Sequence, residues 1–206
     1  MPLWSFVSRF WTMGRGSRIE IETGAILAAA AALLMLPLSF LLSFLMAVLV
    51  HEACHYLVLR LLDVEVYRIT VGPFGASMET ETMEPGREVL CALAGPLGSF
   101  LLVVGYRIIP EIAICGLVQG CFNLLPVLPM DGGRILAGML ELLKVPEVNG
   151  IMLAVRWMTG IIIGGLCIYG FLMWNLGYGV LILGFVVVWR TLPRKTPCKE
   201  GSFGVQ

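Results

Sequence analysis

Charge is scarce in this sequence, and so are the residues that usually carry chemistry. Only 14% of the 206 residues are charged, the fourteen lysines and arginines balance the fourteen aspartates and glutamates, and there are just two histidines. A soluble domain carries about a quarter charged residues, so an ordinary water-facing surface is excluded. Zero net charge removes the basic footprint that nucleic acid requires, and no nucleic-acid partner is expected. A disulfide framework is excluded as well. None of the six cysteines stands in a CxxC pair, and five lie inside apolar runs, where they read as small hydrophobes. A thiol nucleophile at Cys54, close to both histidines, is disfavoured because Cys–His pairing needs no glutamate between its groups. No cleavable signal peptide is expected either. Leu3, Phe6, Phe10 and Trp11 fall at near-helical spacing before Arg15 and Arg18, which suits an amphipathic segment lying on a membrane over the first twenty residues.

What is abundant is apolar: 58% of the residues. That excess must face lipid or other membrane helices, and a crossing takes about 20 residues. The run from 19 to 62 is too long for one crossing, and Pro37 divides it into spans at about 22–36 and 38–62. Residues 63–84 alternate in polarity around Gly72-Pro73-Phe74-Gly75, a strand–turn–strand pattern. Further spans follow at about 87–108, 110–125, 151–173 and 178–190, with a short amphipathic helix at about 133–144 and a tail over 191–206. The expected fold is therefore an all-α polytopic membrane protein of about six transmembrane helices, with a small β-hairpin between helices 2 and 3. It reads as a single membrane-embedded domain over 1–206. Thirteen of the fourteen Lys and Arg residues fall on one side of this layout, and Arg107 alone falls on the other. Cytoplasmic loops are enriched in positive charge, so both termini, the hairpin and the loop around residue 131 are expected in the cytoplasm.

The second span holds both histidines, in His51-Glu52-Ala53-Cys54-His55. Spacing of i, i+4 places the two imidazoles on one helical face. There they can take two positions of a tetrahedral zinc, while Glu52 reaches the water as general base. Two histidines bonded to neighbouring helices, with Glu52 neutralised or paired, would account for burial but not for this order and spacing. Ionisable groups deep in a membrane helix are costly and by default functional. A catalytic zinc commonly takes three protein ligands, and the chain has two aspartates. Asp63 sits at a helix end among loop charges, whereas Asp131 precedes Gly132-Gly133 after a proline-broken helix. A turn role explains an aspartate before two glycines. Depth favours Asp131 as the ligand, because His55 lies seven residues before Leu62, roughly 10 Å from the same cytoplasmic end.

Together, His51-Glu52-x-x-His55 and Asn123-x-x-Pro126-x-x-Pro129-x-Asp131-Gly132 resemble the paired motifs of the site-2 metalloproteases. The 64–84 hairpin, Ala94-Gly95-Pro96 and the six-span layout look like the sporulation-protease branch, without its C-terminal CBS domain. The specific part of the resemblance covers about residues 38–140, the expected catalytic core. It implies one zinc per chain held by His51, His55 and Asp131, with Asn123 near the substrate backbone or oxyanion. It also implies cleavage of membrane-associated or single-span proteins in a bacterial membrane. The partners it implies are that substrate and the bilayer, with room for a regulatory membrane protein.

Within the bilayer a substrate helix has its carbonyls already bonded, so it must be unwound or presented as a strand. The hairpin offers an edge for such pairing, and Phe74 and Gly75 at its turn are expected to contact substrate. Gln119, four residues before Asn123, is expected to hydrogen-bond a neighbouring helix. The competing function is a metal transporter that uses the same His, Glu and Asp residues as an ion path. No inverted repeat with paired broken helices is apparent to support it.

Overall fold

Prolines set the helix boundaries. The computed structural model describes residues 18–72 and 75–174, with 179, 184, 185 and 188 singly. The segment before residue 18, Phe74, most of the span expected at 178–190 and the tail at 191–206 lie outside the described residues. Helix α1 (Thr23–Met35) stops before Pro37, and α2 (Leu38–Leu61) starts directly after it. Pro85 and Pro110 are the first residues of α3 (Pro85–Leu101) and α4 (Pro110–Asn123). Proline is well placed at a helix start, where its fixed φ is already helical and its missing N–H would be unpaired anyway. The third span therefore begins two residues before its expected start at 87. It also leaves α-geometry earlier, passing into a 3-10 turn over Leu102–Gly105. Helices α5 (Asp131–Leu142) and α6 (Val148–Trp174) complete the described elements.

Among the described residues, three helical stretches are long and apolar enough to cross a bilayer: Leu38–Leu61, Pro85–Gly105 and Val148–Met173. Helix α1 is apolar but shorter, and the 14 residues of α4 are fewer than the roughly 20 a perpendicular crossing takes. Large side chains stand outside the packing along these helices, among them Leu34 at 87% exposure and Leu172 at 71%. On a membrane protein that is the lipid face.

The described residues are mostly helical, with one small three-stranded sheet rather than a hairpin alone. Strands β2 (Val66–Gly72) and β3 (Gly75–Thr80) pair antiparallel, with Gly72 opposite Gly75 and an irregularity at 66–68. Strand β1 (Arg18–Ile21) adds parallel to β2, with Ile19 opposite Ile69, and Glu22 N–H continues the ladder by donating to Val71 O. Residues 18–20 were expected in an amphipathic surface segment. They are a strand because β2 presents them with an edge, a partner some fifty residues away that local periodicity does not register. Arg68 ties the sheet laterally, 3.4 Å from Glu20 and 3.7 Å from Glu79.

Contacts divide the chain into two units, Met1–Phe122 and Asn123–Gln206. In the first, α2 packs on α3 through a stripe of buried residues four apart: Ser43, Ala47, His51, His55 and Leu59. The facing side of α3 is built from small residues, with Cys91, Ala92, Ala94, Gly95, Gly98 and Ser99 all buried. At Gly98 a Cβ would come within 2.9 Å of the Cys54 Cβ, so glycine is what allows the two backbones to approach. Below the histidines, Leu59, Val64 and Cys91 form a core against which Val66, Met78 and Met83 pack, and this seats the sheet at the ends of α2 and α3. In the second unit, the proline-broken segment after Asn123 folds back on the first turn of α5. A Cβ on Gly132 would overlap the Leu124 backbone, and one on Gly133 would come within 2.5 Å of the Val127 carbonyl carbon.

Candidate metal centre

His51 and His55 occupy the middle of the buried stripe on α2, at 3% and 8% exposure. The i, i+4 spacing brings their Nε2 atoms to 3.2 Å, with the rings edge-on at 79°. Each ring is held from behind by α3. His55 Nδ1 lies 2.7 Å from the Cys91 carbonyl oxygen, and His51 Nδ1 lies 2.9 Å from Ser99 Oγ. A carbonyl only accepts, so the proton of neutral His55 resides on Nδ1 and its Nε2 carries a lone pair. Outer partners of this kind fix tautomer and ring orientation in metal-ligating histidines.

The arrangement fits a tetrahedral zinc. Two nitrogens each about 2.0–2.1 Å from such an ion lie about 3.3–3.4 Å apart, close to the observed 3.2 Å. The space is made by Gly95, where a Cβ would overlap His55 Nε2 and come within 2.7 Å of His51 Nε2. His51 and His55, both buried on α2, each offer one ligand atom, and Asp131, buried in the second unit, is a further residue of ligating type.

Asp131 is the first residue of α5, 6% exposed, so it is not a turn aspartate and its two following glycines are helical. A carboxylate in the first turn is favoured by the helix dipole, and Arg134 approaches its Oδ1 at 3.9 Å. Asp63 is placed otherwise. It is exposed and ends α2 with a left-handed φ of 54°, a conformation aspartate tolerates.

Glu52 is half-buried on α2, beside the start of β3. A Cβ at Gly75 would lie 4.0 Å from Glu52 Oε1, and Gly75 has a φ of 135° that other residues rarely adopt. The expected substrate residue Gly75 is thus next to the expected base. Asn123 is the half-buried last residue of α4. Gln119 differs from expectation, since its Oε1 is buried with no hydrogen-bond partner among the described residues. Sequence reasoning named neither Ser99 nor Cys91 as a partner of the histidines, nor Gly95 as the residue that makes room for them. A serine in an apolar helix and the Ala94-Gly95-Pro96 step were the available signals.

No protein-family model matches the chain. Among solved structures, the site-2 protease from Methanocaldococcus jannaschii is similar, with a TM-score of 0.59 covering 90% of this chain and 97% of that one at 21% identity. The fold is that of a site-2 protease. Sequence similarity points the same way. A Synechocystis sp. protein that carries the name of a zinc metalloprotease is 35% identical over 126 residues, 53% of this chain and 33% of that protein. A zinc metalloprotease of Methanocaldococcus jannaschii is 35% identical over 116 residues, 50% of this chain and 34% of that protein. The chain spans about a third of the length of these curated relatives. In sequence and in fold it resembles the zinc metalloproteases of the site-2 type.

Proposed function

We propose that this protein is an intramembrane zinc metalloprotease that hydrolyses peptide bonds of membrane-associated or single-span proteins near the cytoplasmic face. The observation that carries the reading is the pair of buried Nε2 atoms 3.2 Å apart on an HExxH helix, with the Nδ1 atoms of both rings engaged from behind. Zinc bound there would polarise the scissile carbonyl and make water a nucleophile near neutral pH. His51 and His55 hold it, and Asp131 is the proposed third ligand. Glu52 accepts a proton from the attacking water and passes it to the departing amine. The metalloprotease names of the relatives and the site-2 fold support this assignment over metal transport.

The finer layout is part of the same proposal. The chain crosses a bacterial membrane about six times with both termini cytoplasmic, as the thirteen-to-one charge distribution supports. The motifs favour the sporulation-protease branch. The substrate enters as an extended strand. Strand β3 has no partner on its outer side among the described residues, and it begins beside Glu52. A strand added there would bring its backbone toward the base, with Asn123, Phe74 and Gly75 as the proposed contacts. The test uses purified protein in liposomes with single-span model substrates. Cleavage should stop on zinc chelation and return with added zinc. Zinc-independent cleavage, or zinc flux across the vesicles without cleavage, would contradict the proposal.

A further inference from the structure

The two histidines are held by different kinds of partner, and the difference has a chemical consequence. The Cys91 carbonyl can only accept, so His55 has one neutral arrangement, with its proton on Nδ1. Ser99 Oγ can donate or accept, which leaves His51 two. In one, the hydroxyl donates to Nδ1, and the His51 Nε2–H points at the lone pair of His55 Nε2, 3.2 Å away. In the other, Nδ1–H donates to the hydroxyl and both Nε2 lone pairs converge on one point. Only the second can bind a metal through both rings.

We infer that Ser99 is a positioning residue that switches the tautomer of His51. Without metal it donates to Nδ1 and keeps the two imidazoles joined by a hydrogen bond. With zinc it accepts from Nδ1–H. His51 stays neutral throughout: a proton leaves Nε2 and one arrives at Nδ1, both exchanged with water. The hydroxyl then turns its own hydrogen to another acceptor, as helical serines do toward the carbonyl one turn back. The hydrogen-bonded separation of 3.2 Å is nearly the roughly 3.3–3.4 Å of a zinc-bound pair, so the site changes protons without moving rings. Packing holds the hydroxyl in place. Ser99 is 0% exposed, and α4 presses on it through Gly116 and Gly120, where a Cβ would come within 2.8 Å of its carbonyl oxygen and 3.1 Å of its Cβ.

The inference rests on the site being a zinc centre, and the measurements separate the two. Only two histidines are present, so protein labelled with 15N-histidine in micelles gives a spectrum simple enough to read ring by ring. It is recorded at about pH 8, above the imidazole range. His51 should carry its proton on Nε2 without metal and on Nδ1 with zinc, whereas His55 should keep Nδ1–H in both. An Nδ1–H proton on His51 already present without metal would overturn the switch. Zinc affinity, read by competition with a chelator, should fall about 10–100-fold in Ser99→Ala and recover in Ser99→Thr, which restores the hydroxyl. Wild-type zinc affinity in Ser99→Ala would also overturn it. Failure of the zinc reading itself looks different, since the wild-type protein would then bind no zinc. The wild-type spectra need no variant, so they decide the matter even if Ser99→Ala does not fold.

Discussion

At the scale of single residues, each ligand role makes a distinct demand. Removing His51 or His55 leaves one nitrogen on α2, so His51→Ala and His55→Ala should each lower zinc affinity by more than the roughly 10–100-fold that a lost outer partner costs. Asp131→Ala should do the same if the carboxylate is the third ligand, and Asp63→Ala should leave zinc in place. Metal analysis of the purified variants distinguishes these outcomes, and full occupancy in Asp131→Ala would remove the third-ligand assignment. Gly95 is a separate case, because it makes no bond to the metal. A methyl there must displace both Nε2 atoms, so Gly95→Ala should empty the site and destabilise the α2–α3 pair by about 1–3 kcal/mol. Zinc content and thermal unfolding in detergent read both effects, and wild-type zinc content in that variant would show that the site tolerates the methyl.

What was legible at this scale was whatever helical periodicity alone encodes. His51, Glu52 and His55 are placed by a four-residue spacing, and that spacing survives in any helix. Ser99 and the Cys91 carbonyl lie 48 and 36 residues away from the rings they hold. They meet those rings only because two helices cross at small side chains. A backbone carbonyl leaves no mark on a sequence as a binding group at all.

At the scale of elements, the sheet carries the main consequence. Val71 O accepts from Glu22 N–H on the β1 side, so Val71 and Ala76 face one another as a non-hydrogen-bonded pair and Ala76 directs its backbone N–H outward, away from β2. Ala76→Pro should therefore spare the ladder while removing a donor from the open edge. Loss of one such bond to substrate, about 1 kcal/mol, predicts a drop of about fivefold in kcat/KM with zinc content unchanged. Undiminished cleavage by Ala76→Pro would argue against strand addition at β3. The hairpin itself was legible because Gly72-Pro73-Phe74-Gly75 punctuates two alternating runs. Strand β1 was not, because four residues of Arg18–Ile21 become a strand only when β2 lies alongside. Helix starts were missed by two residues where proline or aspartate opens a helix, at Pro85 and Asp131.

At the scale of the whole molecule, burial and chemistry point the same way. A chain this poor in charge keeps its two histidines and one of its two aspartates inside. Placing such groups in the membrane has a cost that only function explains. Topology can be checked directly: a cysteine at the exposed Ser77 of β3 should react with an impermeant thiol reagent only from the cytoplasmic side. Labelling from outside would invert the orientation and with it the proposed face of cleavage. The central claim, that Glu52 is the base of a zinc hydrolase, is tested most directly by comparing wild type with Glu52→Gln at equal abundance, measuring zinc per chain and cleavage of a single-span substrate in the same preparation. Glutamine keeps the shape and removes the basic oxygen, so zinc should remain near one per chain while cleavage falls by about 10²–10⁴-fold. Unchanged cleavage in a zinc-replete Glu52→Gln protein would contradict the mechanism.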